Sequence, residues 1–458
     1  MKKSLFDDFN KINAAAWKQK IQVDLKGADY NETLLWKTNE DIVVKPFYTS
    51  EDKTKFKISN PNKGFKICQK VFVDDVKKAN TIAIDAIKKG ANSIQFKANS
   101  PFDFKRLFQN INTENLTIYF NFNFLDENFH YDLSNFLKSE KVFYQNDIIG
   151  NLAETGNWFN NLKNDFEKLK NIQKKIPNSI VVSSELYQNS GATITQQLAY
   201  TLAHANEYLN EFGKEAAKDI HFHFSVGSNY FFEIAKIKAF RLSWESLLEE
   251  YDLSRIETNI FVEPSTRNKT LYDYNVNMLR TTSECMSAIL GGANTVSNIS
   301  YDTIYKKSND FGERISRNQL LVLQQESYLQ DAQNFADGTY YIESITEQLA
   351  EKALDIFKLI ENNGGFLKQL KAGIIQRKIR ESAIKEEEKF LNKKIVLLGT
   401  NLHQNSNDLM GNNLELYPFV KQRNIKTLIT PITRTRLSET IEKERLDIEK
   451  EIKASKNE

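Results

Sequence analysis

The stretch that decides the fold is Phe65–Lys97, FKICQKVFVDDVKKANTIAIDAIKKGANSIQFK. Its two ends, Phe65–Phe72 and Ser93–Lys97, are short apolar runs with aromatic and β-branched residues, which favours strands. The middle, Asp74–Lys89, has apolar residues at helical spacing and ends in two lysines followed by Gly90. A cation-rich last turn before a glycine is typical of a helix C-terminus. The stretch therefore predicts a strand–helix–strand unit.

The same alternation continues downstream, with helical stretches such as Thr193–Phe212 and Leu271–Leu290 between short β-type runs. The predicted strands are Phe65–Phe72, Ser93–Lys97, Leu116–Phe122, Lys141–Tyr144, Ser179–Ser183, Ile220–Ser225, Ile256–Val262 and Ala293–Ile299. Eight repeats of this kind within about 230 residues match a TIM barrel better than an open sheet. We therefore predict an α/β fold built on a (β/α)8 barrel.

The predicted barrel divides the chain into three parts: an N-terminal arm (1–60), the barrel itself (61–365) and a C-terminal extension (366–458). In the arm, the spacing predicts a helix over Asp7–Lys20 and an extended piece at Ile42–Phe47. After the barrel strands, we expect a long helix at Ile342–Asn362, another over 366–390 and a strand at Lys394–Gly399. The last twenty residues are expected to form a charged helix or a frayed tail.

The composition of the 458-residue chain excludes several classes of protein. Hydrophobic residues make up 40% and aromatic residues 12%, so a disordered chain is excluded. The 62 Lys+Arg residues are nearly balanced by 60 Asp+Glu, which argues against nucleic-acid binding through a basic surface. No apolar run approaches the ~18 residues that a membrane span requires. The interpretation is a protein without nucleic-acid or membrane partners.

The N-terminus and the cysteines point to the cytoplasm. Asp7 and Asp8 follow the first apolar residues at once, so we expect no signal peptide. Cys68 and Cys285 lie far apart and outside any Cys-x-x-Cys pair, which favours two reduced thiols.

Local motifs for chemistry are few. The sequence contains no nucleotide-binding glycine motif, no nucleophile elbow and no zinc-protease motif. His221 and His223 would share one face of a strand and could hold zinc or iron, but no third ligand is specified. We therefore interpret them as packed strand residues. His130, His204 and His403 stand alone, and a lone histidine is more often structural than catalytic.

Arginine is absent between Arg106 and Arg241. This stretch holds four of the predicted strands and the loops that would build much of a barrel's active face. A site for a carboxylate or a phosphate usually uses a guanidinium, whose planar fork pairs two oxygens. The gap therefore argues against such a site here, although lysine could serve as a point charge.

Several segments resemble methylmalonyl-CoA mutases, in the order of that family and over about 140–385. They are Ser190–Thr193 with Leu198–Ala203 and Glu207–Leu209, Asn229–Lys236, Arg280–Glu284 with Leu290–Ala293, and Tyr340–Ser344 with Leu349–Ala353. Residues 1–60 are similar to the arm of the family's small subunit, with Trp17 and the Gly27-Ala28 turn before Trp36. The resemblance implies a radical isomerase that depends on adenosylcobalamin and interconverts succinyl-CoA and methylmalonyl-CoA. It also implies a TIM barrel that the CoA ester threads, and a separate flavodoxin-like domain that holds cobalamin.

This chain departs from the pattern of the catalytic subunits at four polar positions. Leu186 and Gly227 stand where catalytic chains have histidines, the first of which is expected to hydrogen-bond the thioester carbonyl. Ser297 matches a third histidine, and Thr155 falls where an arginine would pair the substrate carboxylate. We therefore expect no catalytic residue in this chain and no cofactor bound by it.

The cobalamin domain is also expected to be missing. Only about 70 residues follow the last helix of the resemblance, against roughly 120–150 for a flavodoxin-like domain. The one late histidine, His403, lies in Asn-Leu-His-Gln rather than in the family's Asp-x-His-x-x-Gly.

The resemblance thus identifies this chain as a small, non-catalytic subunit that pairs with the large, catalytic subunit carrying adenosylcobalamin. The apolar residues of the arm are the predicted partner interface: Phe6, Phe9, Ile12, Trp17 and Trp36. Two alternatives stay open. The barrel could be catalytic with cobalamin on a separate chain, or it could perform another isomerase reaction that uses His221 and His223.

Overall fold

The computed structural model describes residues 5–6, 8–10, 12–53, 64–253, 256–331, 334–421 and 425–455. Ten strands are present in these residues, and eight of them form one parallel sheet. The strands are β1 (Trp36–Lys37), β2 (Val43–Val44), β3 (Lys66–Phe72), β4 (Ser93–Ala98), β5 (Thr117–Phe122), β6 (Val142–Tyr144), β7 (Ile180–Ser183), β8 (Ile220–Val226), β9 (Ile260–Pro264) and β10 (Thr295–Ser297). All eight predicted barrel strands occur, with small shifts at their ends.

The large sheet closes on itself. Its order is β6-β5-β4-β3-β10-β9-β8-β7, and β10 pairs in parallel with both β3 and β9. The seam between β6 and β7 is joined by two backbone hydrogen bonds, Tyr144 N–H to Asn178 O (2.9 Å) and Val181 N–H to Asn146 O (3.1 Å). The structure therefore confirms an α/β TIM barrel, as the strand–helix alternation predicts.

Helices surround the barrel and carry its outer core. They are α1 (Ala14–Asp24), α2 (Tyr30–Leu34), α3 (Val76–Lys88), α4 (Phe104–Leu107), α5 (Glu127–Leu137), α6 (Ile148–Thr155), α7 (Leu162–Gln173), α8 (Glu185–Asn189), α9 (Ile194–Phe212), α10 (Tyr230–Glu250), α11 (Val276–Leu290), α12 (Asp310–Leu321), α13 (Tyr340–Asn362), α14 (Phe366–Lys371), α15 (Ile374–Leu391) and α16 (Glu439–Ser455). No described helix is both long and apolar enough to cross a membrane.

The outer core follows from the two-residue period of the strands. Ile94 and Phe96 of β4 and Ile118 and Phe120 of β5 point outward and are fully buried against helices. The helices begin where the sequence supplies caps. For α9, Thr193 Oγ1 accepts from the N–H of Gln196, and the Gln196 side chain accepts from the N–H of Thr193. Such a capping box satisfies two otherwise unpaired backbone donors.

Three predicted elements are wrong in detail. The arm helix begins at Ala14 rather than Asp7, which itself lies outside the described residues, because the Asn13 side chain caps the N–H of Ala16. The helix predicted over 366–390 is two helices, because Gly373 adopts a left-handed φ of 73° between them. No strand forms at Lys394–Gly399, where Leu398 makes only an isolated bridge to Leu402.

The two halves of the arm differ in how far their apolar side chains are buried. Ile42 and Val44 are buried in the main core, and Lys389 donates to the side chain of Asn39. In contrast, Phe6, Phe9 and Ile12 are each more than 70% exposed. The later half of the arm is therefore fixed on this barrel, while its apolar beginning is not covered by described residues.

The C-terminal extension returns across the barrel. We call residues 427–437 the crossing segment, because it runs over the loops that follow the strands. Its backbone N–H groups at Ile432, Thr435 and Leu437 donate to the carbonyls of Ala153, Asn189 and Arg267 at 2.7, 2.9 and 2.8 Å. This backbone pairing with α6, with the end of α8 and with the segment after β9 places the crossing segment along one side of the barrel mouth.

Candidate functional site at the barrel mouth

A cavity of about 650 Å³ opens at the carboxyl ends of the strands. This end of a TIM barrel carries the active site in characterised enzymes of the fold. Polar side chains on seven of the strands, or directly after them, line it, including Lys70, Gln95, Asn121, Gln145 and Glu263. We therefore take the cavity as the candidate functional site.

Below the cavity, bulky side chains fill the axis of the barrel. In a barrel, inward side chains of alternate strands lie at one height and form layers of four. The strand registers give two lower layers, Ser93–Phe143–His221–Thr295 and Cys68–Tyr119–Val181–Phe261. These eight residues are called the lower layers below.

Aromatic rings pack across the lower layers. The ring centroid of Tyr119 lies 4.8 Å from that of Phe261 and 5.0 Å from that of Phe143, and His221 lies 5.3 Å from Phe143. The Tyr119 hydroxyl spans the axis to the side chains of Asn259 and Thr295, both at 2.9 Å. The barrel axis is therefore a packed core rather than a channel.

Above the rings, the interior becomes polar. The next two layers are Gln95–Gln145–His223–Ser297 and Lys70–Asn121–Ser183–Glu263, which we call the upper layers. The Gln145 carbonyl oxygen accepts from the side-chain amides of Gln95 (2.5 Å) and Asn121 (3.3 Å). The upper layers form the floor and walls of the mouth cavity.

Charges in the upper layers are paired with each other. Lys70 donates to Glu263, and His223 Nε2 lies 3.6 Å from the other oxygen of that carboxylate. Burial would raise the pKa of Glu263, but attraction to Lys70 and His223 outweighs it and lowers the pKa. For Lys70, burial lowers the pKa, and attraction to Glu263 more than offsets this and raises it. The pair thus stays ionised at neutral pH.

The crossing segment contributes an arginine to the wall of the cavity. Arg434 pairs with Glu185 at the start of α8 (2.6 Å) and with Glu154 near the end of α6 (2.5 Å). Burial would raise the pKa of Glu185, and attraction to Arg434 overcomes this and lowers it. Both carboxylates are thereby tied to a segment that is far away in sequence.

Comparison with known proteins places the chain in a family. The methylmalonyl-CoA mutase family model matches residues 97–453, most of the chain. The chain belongs to the methylmalonyl-CoA mutase family. It is 30% identical to the methylmalonyl-CoA mutase small subunit of Porphyromonas gingivalis, over 98% of this chain and 79% of that protein.

Similarity to longer mutases covers a smaller part. The chain is 34% identical to the methylmalonyl-CoA mutase of Rhizobium meliloti over 51% of this chain and 35% of that protein. It is 30% identical to the methylmalonyl-CoA mutase large subunit of Porphyromonas gingivalis over 50% of this chain and 33% of that protein. These matches span about a third of each longer mutase.

The four positions at which a departure from catalytic mutases is predicted do not converge on one site. Leu186 lines the mouth cavity and is buried in the main core, and Ser297 lies in the upper layers. Gly227 follows β8 and lines a separate cavity of about 480 Å³ beside the arm. Thr155 ends α6, where its hydroxyl donates to the Asn151 carbonyl at 2.8 Å. Of the four, only Leu186 thus lines the mouth cavity, while Ser297 is fully buried.

At Gly227, the neighbours leave little room for a side chain. An added Cβ would lie 3.0 Å from Gln188 Nε2 and 3.3 Å from Glu233 Oε1. The Gly227 N–H donates to Glu233 (2.8 Å), which also pairs with the fully buried Lys236. The space that a side chain at position 227 would need is therefore taken up by a buried ion pair and its hydrogen bonds.

The predicted histidine pair does face the barrel axis, as a two-residue period requires. His221 is buried among the rings of the lower layers, which lowers its pKa to about 3. His223 lies two layers higher, beside the Lys70–Glu263 pair. Among the residues that the structure describes, no cluster of three or more His, Cys, Asp or Glu side chains is arranged to hold a metal.

The other singled-out histidines and cysteines have structural surroundings. His130 contacts the Asn146 side chain at 3.0 Å, and His204 pairs with Asp147 at 2.9 Å. His403 is exposed in a loop at a left-handed φ of 52°. Cys68 and Cys285 are free and buried, and burial raises the pKa of Cys68 to about 12. Neither thiol is a reactive thiolate at neutral pH.

Sequence reasoning did not identify the residues that dominate the cavity. The sequence does indicate that Lys70 and Glu263 face the barrel interior. Each lies two residues after an inward-facing residue of the same strand, and side chains two residues apart share one face. The same spacing applies to Gln95 and Gln145. Arg434 has no such signal, because its partners are about 250 to 280 residues away in sequence.

Proposed function

We propose that this chain is the small, non-catalytic subunit of a heterodimeric, adenosylcobalamin-dependent methylmalonyl-CoA mutase of the cytoplasm. Its role is to pair with a large subunit that binds the cofactor and catalyses the interconversion of succinyl-CoA and methylmalonyl-CoA. The similarity to a small subunit over nearly the whole chain supports this assignment. In the organism of that relative, a large subunit is also known.

The observation that carries the proposal is the filled barrel axis. A barrel that is threaded by a CoA ester needs an open path between its two ends. Here Tyr119 and Phe261 are fully buried and meet at the axis, with Phe143 packed beneath them. An acyl-CoA cannot pass through these rings without displacing the core of the barrel.

The extension does not fit cobalamin. A flavodoxin-like domain requires a parallel sheet of its own, and the described part of residues 366–455 contains helices and irregular segments but no strand. The late histidine, His403, lies in an exposed loop rather than at the end of a strand. We therefore derive no catalytic step through cobalamin in this chain.

The apolar residues of the arm supply the proposed interface. Phe6 and Phe9 contact each other with ring centroids 6.4 Å apart, and Trp17 stacks on Phe47 at 4.3 Å. Trp36 is half exposed and meets Phe232 edge-on at 5.8 Å. Large aromatic side chains of this kind are enriched among residues that dominate binding energy at interfaces.

Co-purification with a mutase large subunit from the same source tests the pairing. We expect the wild-type chain to be retained by the tagged large subunit, and the variant Phe6→Ser/Phe9→Ser/Ile12→Ser to be lost from it. The matched control is Leu279→Ser/Phe335→Ser/Leu359→Ser, which removes three equally exposed apolar residues elsewhere. Full retention of the arm variant would show that the beginning of the arm is not the interface.

A turnover assay tests the non-catalytic role. The purified chain is mixed with adenosylcobalamin, succinyl-CoA and an isolated cobalamin-binding protein, with and without the large subunit. We expect conversion only when the large subunit is present. Turnover without it would support the alternative of a catalytic barrel whose cobalamin domain lies on another chain.

A further inference from the structure

The mouth cavity is lined by a buried polar group that the protein itself does not satisfy. The side-chain amide nitrogen of Gln145, in the upper layers, has no hydrogen-bond partner among the described residues. Gln145 is only 5% exposed, and its carbonyl oxygen is fixed by Gln95 and Asn121. Burying such a group without a partner costs about 1–3 kcal/mol, so an unsatisfied amide on the lining of a cavity indicates a partner from outside.

The charges of the cavity disfavour an anion as that partner. The two most buried cations are already engaged, Lys70 by Glu263 and Arg434 by Glu185 and Glu154. The lining carboxylates outnumber the lining cations, five against three: Asp147, Glu154, Glu185, Glu263 and Glu313 against Lys70, Lys97 and Arg434. A carboxylate or phosphate entering the mouth would meet net repulsion.

Neutral hydrogen-bonding groups make up much of the remaining surface. Gln95, Asn121, Gln145 and Asn151 each present an amide that can donate and accept, and Ser183 adds a hydroxyl. Phe72, which is half exposed, provides an apolar face at the rim. A cavity of about 650 Å³ lies within the size range of small-molecule sites.

From these observations, we propose that the barrel mouth binds a small, uncharged, oxygen-rich molecule of the polyol or monosaccharide class. Its hydroxyl groups accept from the Gln145 amide and exchange hydrogen bonds with Asn121 and Ser183, while its C–H face lies against Phe72. The aromatic rings of the lower layers form the floor, so the ligand enters and leaves through the mouth. This binding activity is separate from the proposed pairing with a large subunit.

Saturation-transfer NMR on the full chain tests the proposal. The probes are glucose, myo-inositol and sorbitol at millimolar concentration, with succinate as the anionic comparison. We expect transfer to at least one of the three polyols and none to succinate. Absence of transfer to all three polyols, or stronger transfer to succinate, would overturn the proposal.

Two variants locate the binding. Asn121→Leu is nearly isosteric on a half-buried wall and is expected to fold, while Gln145→Leu removes the buried donor itself. Each should reduce the transfer at least severalfold. The control Asn362→Leu, at the exposed end of α13, should leave it unchanged. Equal transfer in Asn121→Leu and wild type, with both chains folded by circular dichroism, would place the polyol elsewhere and refute this site.

Discussion

The lower and upper layers of the barrel interior come from the same eight strands but have opposite chemistry. In the lower layers, Tyr119, Phe143 and Phe261 contact one another by ring packing. In the upper layers, Gln95 and Gln145 are joined by hydrogen bonds, and Lys70 is paired with Glu263. The change occurs within two residues of each strand.

The contrast shows that the inward-facing residues of one set of strands can form both a packed core and a polar cavity. Rings at the axis exclude water and stabilise the barrel by burying apolar surface. Amides and ion pairs two residues further along the same strands line a cavity instead. A barrel can therefore lose a path along its axis without losing a cavity at its end, and the predictions below alter one set of layers at a time.

Truncating a ring of the lower layers should have the largest effect. Phe261→Ala removes a fully buried ring that contacts both Tyr119 and His223. We expect a loss of about 3–5 kcal/mol in the free energy of unfolding, because a cavity remains where the ring was. Urea unfolding followed by fluorescence measures this. Tyr119→Phe, which keeps the ring and removes only its hydroxyl bonds, should cost about 1 kcal/mol.

If Phe261→Ala lowers the free energy of unfolding by less than Tyr119→Phe does, the axis is loosely packed. The contrast between the two sets of layers, and with it the argument against a threaded CoA ester, would then fail.

Introducing a histidine at Leu186 should have the next largest effect. Leu186 is 4% exposed and packs in the main core beside the mouth. Leu186→His therefore loses apolar burial and buries a polar ring, at a cost of about 2–4 kcal/mol. We expect no mutase turnover by this variant without a large subunit. Leu186→Met, of similar volume, is the control and should cost less than about 1.5 kcal/mol. Turnover by Leu186→His alone would show that a single restored group suffices.

Much of the barrel can be predicted from the sequence because its signals are local. The strand at Phe65–Phe72 and the helix that ends before Gly90 follow from spacing and from a helix-stopping residue within the same few turns. The family match confirms the resemblance that rests on segments such as Asn229–Lys236. Such elements need no knowledge of their neighbours in space.

The rest depends on contacts between distant parts of the chain. Lys394–Gly399 has a strand-like sequence, but the barrel closes on itself and offers this segment no edge to join. The pairing of Arg434 with Glu154 and Glu185 likewise has no counterpart in local sequence. The mouth cavity has no local signal for the same reason, since its walls come from seven strands or their ends, from α6 and α8, and from the extension.

Replacing His221 by phenylalanine should remove the part of the pH dependence of stability that this residue contributes. Its pKa is lowered from 6.5 to about 3 by burial, so only the unfolded chain takes up this proton as the pH falls below 6.5. Wild type therefore loses stability between pH 7 and pH 5, by about 2 kcal/mol from this residue. The variant His221→Phe should not lose this part of its free energy of unfolding between pH 7 and pH 5. Urea unfolding at both pH values measures the difference, with His130→Phe as a second buried histidine for comparison.

An equal loss in His221→Phe and wild type would mean that His221 is not buried in its neutral form, so that water reaches the lower layers.

The smallest effect concerns the wall of the upper layers. Arg434→Met removes the cation shared by Glu154 and Glu185, but the side chain is about a third exposed, so solvent weakens the pairs and we expect a loss of only about 1 kcal/mol. The loss should be local: hydrogen exchange at Ile432, Thr435 and Leu437, whose N–H groups hold the crossing segment, should quicken, while exchange in β5 stays slow. Arg377→Met, whose pair with Glu381 is exposed, is the control. Unchanged exchange in the crossing segment of Arg434→Met would show that its backbone hydrogen bonds alone hold this wall of the mouth.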